Sequence, residues 1–118
     1  MESVKIKKSE LLDALKKNRQ AHRAIFEEAQ EGYRAEAIRL LDKALQDARE
    51  GRKITTFVKL TAPIDQTKDY DRAIKMIEMS VDENIEISEF DFACYILDDW
   101  SWKQNVMATN AFYLGKSK

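Results

Sequence analysis

The feature that most restricts how this chain folds is an uninterrupted helical pattern across its first half. Between Ser9 and Glu50 there is no proline and only one glycine, and most residues are strong helix formers. Apolar residues recur every three or four positions, which is the spacing of one helical face: Leu12, Leu15, Phe26, Ala29, Tyr33, Ala37, Leu40, Ala44 and Ala48. Four further apolar residues widen this face: Leu11, Ile25, Leu41 and Leu45. We therefore predict one amphipathic helix over about 9–50, capped by Ser9 and closed by Gly51.

The length of this helix predicts self-association. A helix over 9–50 is about 63 Å long, whereas a compact domain of 118 residues has a diameter of only about 35 Å. Either the helix breaks near Gly32 and forms a hairpin, or another copy of the chain covers its apolar face. The surrounding EAQEGYRAEA contains no loop-forming residue except that glycine, so we expect an intact helix that pairs with another copy.

Short strand-like segments alternate with the predicted helices. Alternating β-branched residues predict strands at 3–7, at 54–60 and at 85–87. A second helix is expected over 69–81, and its buried face would comprise Tyr70, Ala73, Ile74, Ile77 and Val81. Ser88 reads as the N-cap of a third helix that continues to Tyr113. The predicted fold is α+β and predominantly α, with a single domain over 1–115 and a flexible tail over 116–118.

Composition places the chain among cytoplasmic globular proteins. Apolar residues make up 44% and charged residues 35% of the sequence, and no stretch is apolar enough to span a membrane or serve as a signal peptide. The single Cys94 lies in the apolar segment FACYIL and is interpreted as a buried, reduced thiol. With one cysteine and one histidine, the chain cannot build a His/Cys zinc site alone, and we predict neither metal nor cofactor.

Charge is distributed unevenly along the sequence. Residues 1–24 carry a net charge of +4, whereas residues 61–115 carry −7. A basic stripe that could contact phosphates of nucleic acid or a nucleotide includes Lys16, Arg19, His22 and Arg23. No aromatic residue for base stacking lies within it, so a solvated face or contact with the acidic half of another copy is the preferred interpretation of the stripe. The uneven charge of the whole chain can be satisfied inside one fold, between copies or by an outside partner.

Two polar residues interrupt the apolar face of the long helix. Asn18 and His22 lie one turn apart between Leu15 and Phe26. They could bind a ligand or transfer a proton. The preferred interpretation is a buried polar pair that fixes the register between two helices.

The segment Asp98-Asp99-Trp100-Ser101-Trp102-Lys103 is the most unusual in the chain. Its two tryptophans point to different faces of a helix, so one would be buried and the other would be exposed or lie at an interface. The candidate interface residues are Asn18, Phe26, Tyr33, Leu40, Trp100 and Trp102. The carboxylates of Asp65, Asp69, Asp71, Asp98 and Asp99 match no calcium-loop spacing, and we interpret them as caps and surface charges.

Two stretches, NRQAHRAIFEEAQEGYR and DYDRAIKMIEMSVDENIEISEFDFACYILDDWSWK, resemble a family of small uncharacterised proteins scattered through bacterial and phage genomes. The resemblance implies a phage or mobile-element accessory protein and carries no known activity with it. The expected function is that of a non-enzymatic, homo-oligomeric protein that binds or sequesters a host factor or ligand in the bacterial cytoplasm. The alternative is a nucleic-acid or nucleotide-binding module that uses the basic stripe.

Overall fold

A computed structural model of the chain describes residues 2–55 and 60–117. In this part of the chain a long N-terminal helix is combined with shorter helices and a two-stranded antiparallel sheet, which confirms the predicted α+β, mostly α class. The elements in chain order are β1 (Ser3–Lys7), α1 (Lys8–Arg49), α2 (Thr67–Glu78), β2 (Asn84–Ser88), α3 (Glu89–Asp91), a π-helical segment (Phe92–Ile96) and α4 (Lys103–Ala111).

Helix α1 is continuous from Lys8 to Arg49, which confirms the intact helix. Because the helix already begins at Lys8, Ser9 lies inside its first turn, and the prediction that Ser9 is the N-cap was wrong. It ends in a Schellman motif, in which Gly51 takes a left-handed conformation with φ 71°. The N–H of Gly51 donates to the carbonyl of Ala48 at 3.2 Å, and the N–H of Arg52 donates to that of Asp47 at 2.8 Å. These bonds satisfy carbonyl groups that a helix end leaves unpaired, and the predicted role of Gly51 is confirmed.

The fold divides into two compact units, and α1 contributes residues to both. Unit 1 comprises the residues up to Ala24 together with Asp65–Asn105, and unit 2 comprises Ile25–Ile64 together with the residues from Val106 onward. The single domain over 1–115 stays a prediction.

In unit 1 the two strands pair next to the start of α1. Strand β1 runs antiparallel to β2, with Val4 opposite Ile87 and Ile6 opposite Ile85. Both strands were predicted from alternation, and the second is one residue longer at each end. The buried cluster of this unit consists of Leu11, Leu15, Tyr70, Ile74 and Ile85. These residues come from α1, α2 and β2, so burial of apolar area joins the three elements.

Helix α2 differs from its prediction at the C-terminal end. Tyr70 and Ile74 are buried as expected, but the helix ends at Glu78 and Val81 lies beyond it, 96% exposed. The hydroxyl of Ser80 accepts a hydrogen bond from the N–H of Asp82 at 3.3 Å. Such a side-chain turn offers the backbone an alternative to another helical turn, which explains why the prediction for Val81 was wrong.

In unit 2 the only glycine inside α1 lies where another segment approaches the helix closely. A Cβ atom built on Gly32 would lie 1.9 Å from the main-chain oxygen of Tyr113. The ring of the adjacent Tyr33 meets that of Tyr113 edge-on, with centroids 5.4 Å apart. Gly32 therefore permits close packing and does not break the helix.

The C-terminal residues of unit 2 also hold the segment before α2. The side-chain amide of Asn110 accepts a hydrogen bond from the N–H of Ile64 at 2.8 Å and donates one to its carbonyl at 3.0 Å. The hydroxyl of Tyr113 donates to the carbonyl of Thr61. The strand predicted over 54–60 lies mostly outside the described residues, and its described members, 54–55 and 60, are in no regular element.

We expect Gly32→Ala to destabilise the protein, although alanine is ordinarily favoured over glycine inside a helix by about 1 kcal/mol. The new methyl group would overlap the carbonyl of Tyr113, and overpacking of this kind costs roughly 1–3 kcal/mol. Urea denaturation followed by circular dichroism measures the free energy of unfolding. Gln20→Ala, at an exposed position of the same helix, serves as the control; a G32A variant at least as stable as wild type would contradict the packing described.

Candidate binding site

The predicted third helix is interrupted in the middle. Ser88 caps α3 as predicted, because its hydroxyl accepts from the N–H of Asp91 at 3.1 Å. The chain then passes through the π-helical segment and leaves helical geometry, and α4 begins at Lys103. Asp98 lies in this break with φ 54°, the left-handed conformation. The expectation of one helix from Ser88 to Tyr113 was therefore wrong.

The carboxylate of Asp98 collects hydrogen bonds from four side chains. Nε2 of His22 lies 2.9 and 3.0 Å from its two oxygens, and Nε1 of Trp100 lies 3.0 Å from one of them. The hydroxyl of Tyr70 also donates to this carboxylate. Nζ of Lys103 lies 3.1 Å from the carboxylate and donates to the main-chain carbonyl of Asp98 at 2.7 Å. We call these five residues the Asp98 network.

The network keeps Asp98 ionised. Burial by itself would raise the pKa of this carboxyl group, but the hydrogen bonds from Tyr70, His22, Trp100 and Lys103 outweigh burial and hold its pKa at about 2. The pKa of Tyr70 is raised, first by burial and then by its hydrogen bond to the carboxylate. The tyrosine hydroxyl therefore stays protonated and remains a donor at neutral pH.

The polar pair on α1 is engaged within unit 1. Nδ2 of Asn18 donates to the main-chain carbonyls of Tyr95 and Ile96, at 2.7 and 3.2 Å. These carbonyls belong to the π-helical segment, and His22 bonds to Asp98 two residues further on. The imidazole of His22 also stacks on the ring of Tyr70, with centroids 5.5 Å apart. Asn18 and His22 thus hold the irregular end of the π-helical segment against α1 of the same chain.

The basic stripe likewise meets acidic residues of its own unit. The guanidinium of Arg19 pairs with Asp71, and that of Arg23 lies 3.4 Å from Asp65. His22 is buried, whereas Lys16 is exposed. Part of the charge asymmetry along the sequence is therefore satisfied inside one fold, which was one of the alternatives that the sequence left open.

An aromatic pocket of about 230 Å³ opens beside the Asp98 network. Five aromatic side chains and two carboxylates dominate its lining, and no basic side chain of residues 2–55 or 60–117 contributes to it. The lining residues are Gln66, Asp69, Tyr70, Phe90, Asp91, Cys94, Tyr95, Trp100 and Trp102. Burial raises the pKa of the Cys94 thiol, and the nearby Asp91 and Asp99 raise it further, so the thiol in this pocket is protonated.

Hydrogen bonds fix the pocket walls. Tyr70 and Trp100 both donate to Asp98 and line the pocket, so the network holds two of the five rings. Gln66 accepts from Nε1 of Trp102 at 3.4 Å and donates to Asp69 at 2.7 Å. The sequence singled out both tryptophans as candidate interface residues. Trp100 lies buried in the wall, whereas Trp102 is 49% exposed at the rim.

The other candidate interface residues lie on α1 in unit 2. Phe26, Tyr33 and Leu40 are each half-buried. The most exposed apolar side chains of this part of α1 are Ile38, Leu41 and Leu45, with exposed fractions of 58%, 64% and 53%. We call these three residues the apolar stripe. Leu41 and Leu45 belong to the apolar pattern seen in the sequence, but Ile38 was missed, although it precedes Leu41 by three positions and Leu45 by seven.

No family model, curated protein or solved structure matches this chain. Across residues 2–55 and 60–117, no helix combines the length and apolar character needed to cross a membrane. In the same part of the chain, no three His, Cys, Asp or Glu side chains are grouped as they would be around a metal ion. The function proposed below is therefore based on three features of the structure: the Asp98 network, the aromatic pocket and the apolar stripe.

We expect Asp98→Asn to lower the free energy of unfolding at pH 7 by about 2 kcal/mol, because it removes the charge that the four donors stabilise. Asparagine tolerates the left-handed conformation about as well as aspartate, so the effect reports the charge and not backbone strain. Denaturation followed by tryptophan fluorescence measures the loss. Asp99→Asn, at the exposed neighbouring carboxylate, is the matched control and should change stability by less than about 0.5 kcal/mol.

The stability that Asp98 contributes should also depend on pH. Its pKa in the folded protein, about 2, lies below the value of about 3.9 expected in an unfolded chain. The contribution is therefore fully present above about pH 4 and is lost as the pH falls toward 2. The difference in unfolding free energy between wild type and D98N should shrink across this window, and a difference that stayed constant would contradict the assignment.

Proposed function

We propose that this protein is a non-enzymatic, homo-oligomeric interaction protein whose copies associate through helix α1. The observation that carries the proposal is the apolar stripe, since Ile38, Leu41 and Leu45 are each more than half exposed on an unbroken helix. Scattered exposed apolar residues need no explanation. A row of three large ones on a single helical face is typical of an interaction surface.

A second copy of the chain is the partner that this surface fits. Ile38, Leu41, Leu45 and Ala48 follow the alternating three- and four-residue spacing of coiled-coil core positions. Ala48 is exposed like the other three, so this spacing covers four successive core positions of a heptad pattern. Residues 25–60 carry seven basic and seven acidic side chains, so the segment does not favour a strongly acidic or basic partner. A neutral face with heptad spacing is suited to pairing with itself.

We propose that the oligomer is a cytoplasmic accessory protein encoded by a phage or mobile element. An oligomer without a catalytic role would act by binding or sequestering a host factor or a ligand. None of the stripe residues Ile38, Leu41 and Leu45 lines the aromatic pocket of unit 1, which is the candidate site for such a ligand in each copy.

The nucleic-acid or nucleotide-binding alternative has less support. It would use Lys16, Arg19, His22 and Arg23, of which Arg19 and Arg23 pair with acidic residues and His22 is buried against Asp98. Phosphate binding by Arg19, His22 and Arg23 would require breaking those contacts. Lys16 alone would offer only one positive charge to the phosphates.

We expect the wild-type protein to have a mass in solution of at least twice the chain mass of 13.7 kDa. The double variant Leu41→Glu/Leu45→Glu should be monomeric, because it replaces buried apolar contacts between copies with charged groups. Each substitution should weaken association by at least roughly tenfold. Light scattering coupled to size-exclusion chromatography, over a range of micromolar concentrations, measures the mass.

The matched control for the double variant is Val81→Glu, which makes the same kind of change at an exposed residue that is not part of the apolar stripe. It should leave the mass unchanged. Circular dichroism establishes that all three proteins keep their helix content. A wild-type protein that is monomeric at high micromolar concentration with full helicity would overturn the proposal.

A further inference from the structure

The aromatic pocket combines two features that favour a positive ligand. Electron-rich ring faces attract cations, and the pocket is lined by the rings of Tyr70, Phe90, Tyr95, Trp100 and Trp102. Two carboxylates, those of Asp69 and Asp91, share the lining, and no lysine, arginine or histidine in the described part of the chain contributes to it. A neutral ligand would gain no electrostatic attraction from the carboxylates and the ring faces, and an anion would be repelled by them.

One of the two carboxylates is already neutralised by its neighbours. Asp69 accepts from the guanidinium of Arg72 at 2.7 Å and from the side-chain amide of Gln66 at 2.7 Å. Asp91 has no such ion pair with a basic side chain within residues 2–55 and 60–117. It therefore supplies the unbalanced negative charge of the lining.

The rings are held in place before any ligand arrives. Trp100 and Trp102 lie 5.2 Å apart between centroids at an angle of 51°, and Tyr70 meets Tyr95 edge-on at 5.7 Å. The Asp98 network fixes Tyr70 and Trp100, while Gln66 orients Trp102. Because these rings are not parallel, they enclose a space on several sides. Because hydrogen bonds already fix them, less conformational entropy is lost when a ligand binds.

We propose that the aromatic pocket binds a methylated ammonium group, with Asp91 as its counter-charge and the rings of Trp100, Trp102 and Tyr95 around its methyl groups. A quaternary ammonium has no N–H group and is weakly hydrated, so transferring it to an aromatic pocket costs less than transferring a primary ammonium or a metal ion. The volume of about 230 Å³ is below the range of about 300–1,000 Å³ of drug-sized sites, which suits a head group.

A larger cleft adjoins the pocket and receives the remainder of the ligand. This cleft, of about 520 Å³, shares Asp69, Asp91 and Tyr95 with the aromatic pocket. Its floor is apolar and includes Leu11, Leu15, Ile77, Ile85 and Ile87. A methylated ammonium reaches such a site either on a small molecule such as choline or on a methylated lysine of a peptide, and both place the same head group in the pocket.

Calorimetric titration of the full chain tests the proposal with three probes. Choline should bind at least roughly tenfold more tightly than 3,3-dimethyl-1-butanol, its neutral isostere, because only choline carries the charge. The third probe is a short trimethyllysine peptide, compared with the same peptide unmethylated. Tighter binding of the peptide than of choline would assign the ligand to a protein, and the reverse order would assign it to a free metabolite. Equal affinity for choline and its isostere, or no binding of either cation, would overturn the proposal.

Two pairs of variants locate the site. Asp91→Asn and Trp102→Ala should each weaken binding of the cation by about five- to thirtyfold. Their matched controls are Asp42→Asn and Phe112→Ala, which change an exposed carboxylate and an exposed ring that do not line the pocket. Trp102→Phe retains an aromatic face and should restore most of the affinity. Unchanged binding in D91N and W102A, with folding verified by circular dichroism, would overturn the assignment.

Cation binding in the aromatic pocket is independent of self-association through α1. Ligand affinity is read from heat and the oligomeric state from mass, so either result can fail while the other holds. The double variant at Leu41 and Leu45 should bind the cation as wild type does, because neither residue lines the pocket or the cleft.

Discussion

The break between the π-helical segment and α4 depends on the hydrogen bonds to the carboxylate of Asp98. A non-glycine residue in the left-handed conformation costs about 1 kcal/mol or more, and the chain leaves helical geometry around it. Four donors offset that cost, and they come from α1, α2 and the residues that follow Asp98 itself. Because Tyr70 and Trp100 also line the aromatic pocket, one ionised group couples the local backbone to the walls of a cavity.

Sequence periodicity predicted the parts of this fold that local interactions determine. The extent of α1, the pairing strands and the burial of Tyr70 and Ile74 follow from spacing alone, because a helix or strand with one apolar face must bury it. The cap at Ser88 and the closing glycine at position 51 follow from backbone chemistry that involves only neighbouring residues. Val81 was misplaced because a competing side-chain turn at Ser80 outweighed the helical pattern.

The site itself depends on contacts that spacing does not encode. The segment around Asp98 contains neither glycine nor proline, so nothing local predicts that the third helix stops there. His22 finds its carboxylate 76 positions away, and the aromatic pocket assembles residues from α2, α3, the π-helical segment and the break before α4. The sequence does give one signal of the site. Two closely spaced tryptophans follow a pair of aspartates at 98–102, which indicates an unusual region but does not predict the helix break or the pocket.

The close approach at Gly32 has a consequence for sequence variation. The atom that fills the space beside this residue is a main-chain carbonyl oxygen, and the nearest side-chain atom is the Cβ of Tyr113. No exchange of the side chain at position 113 removes a carbonyl group, so a larger residue at position 32 has no compensating partner in the packing. Relatives of this chain that retain the contact should therefore keep glycine at this position even where the tyrosine has been replaced.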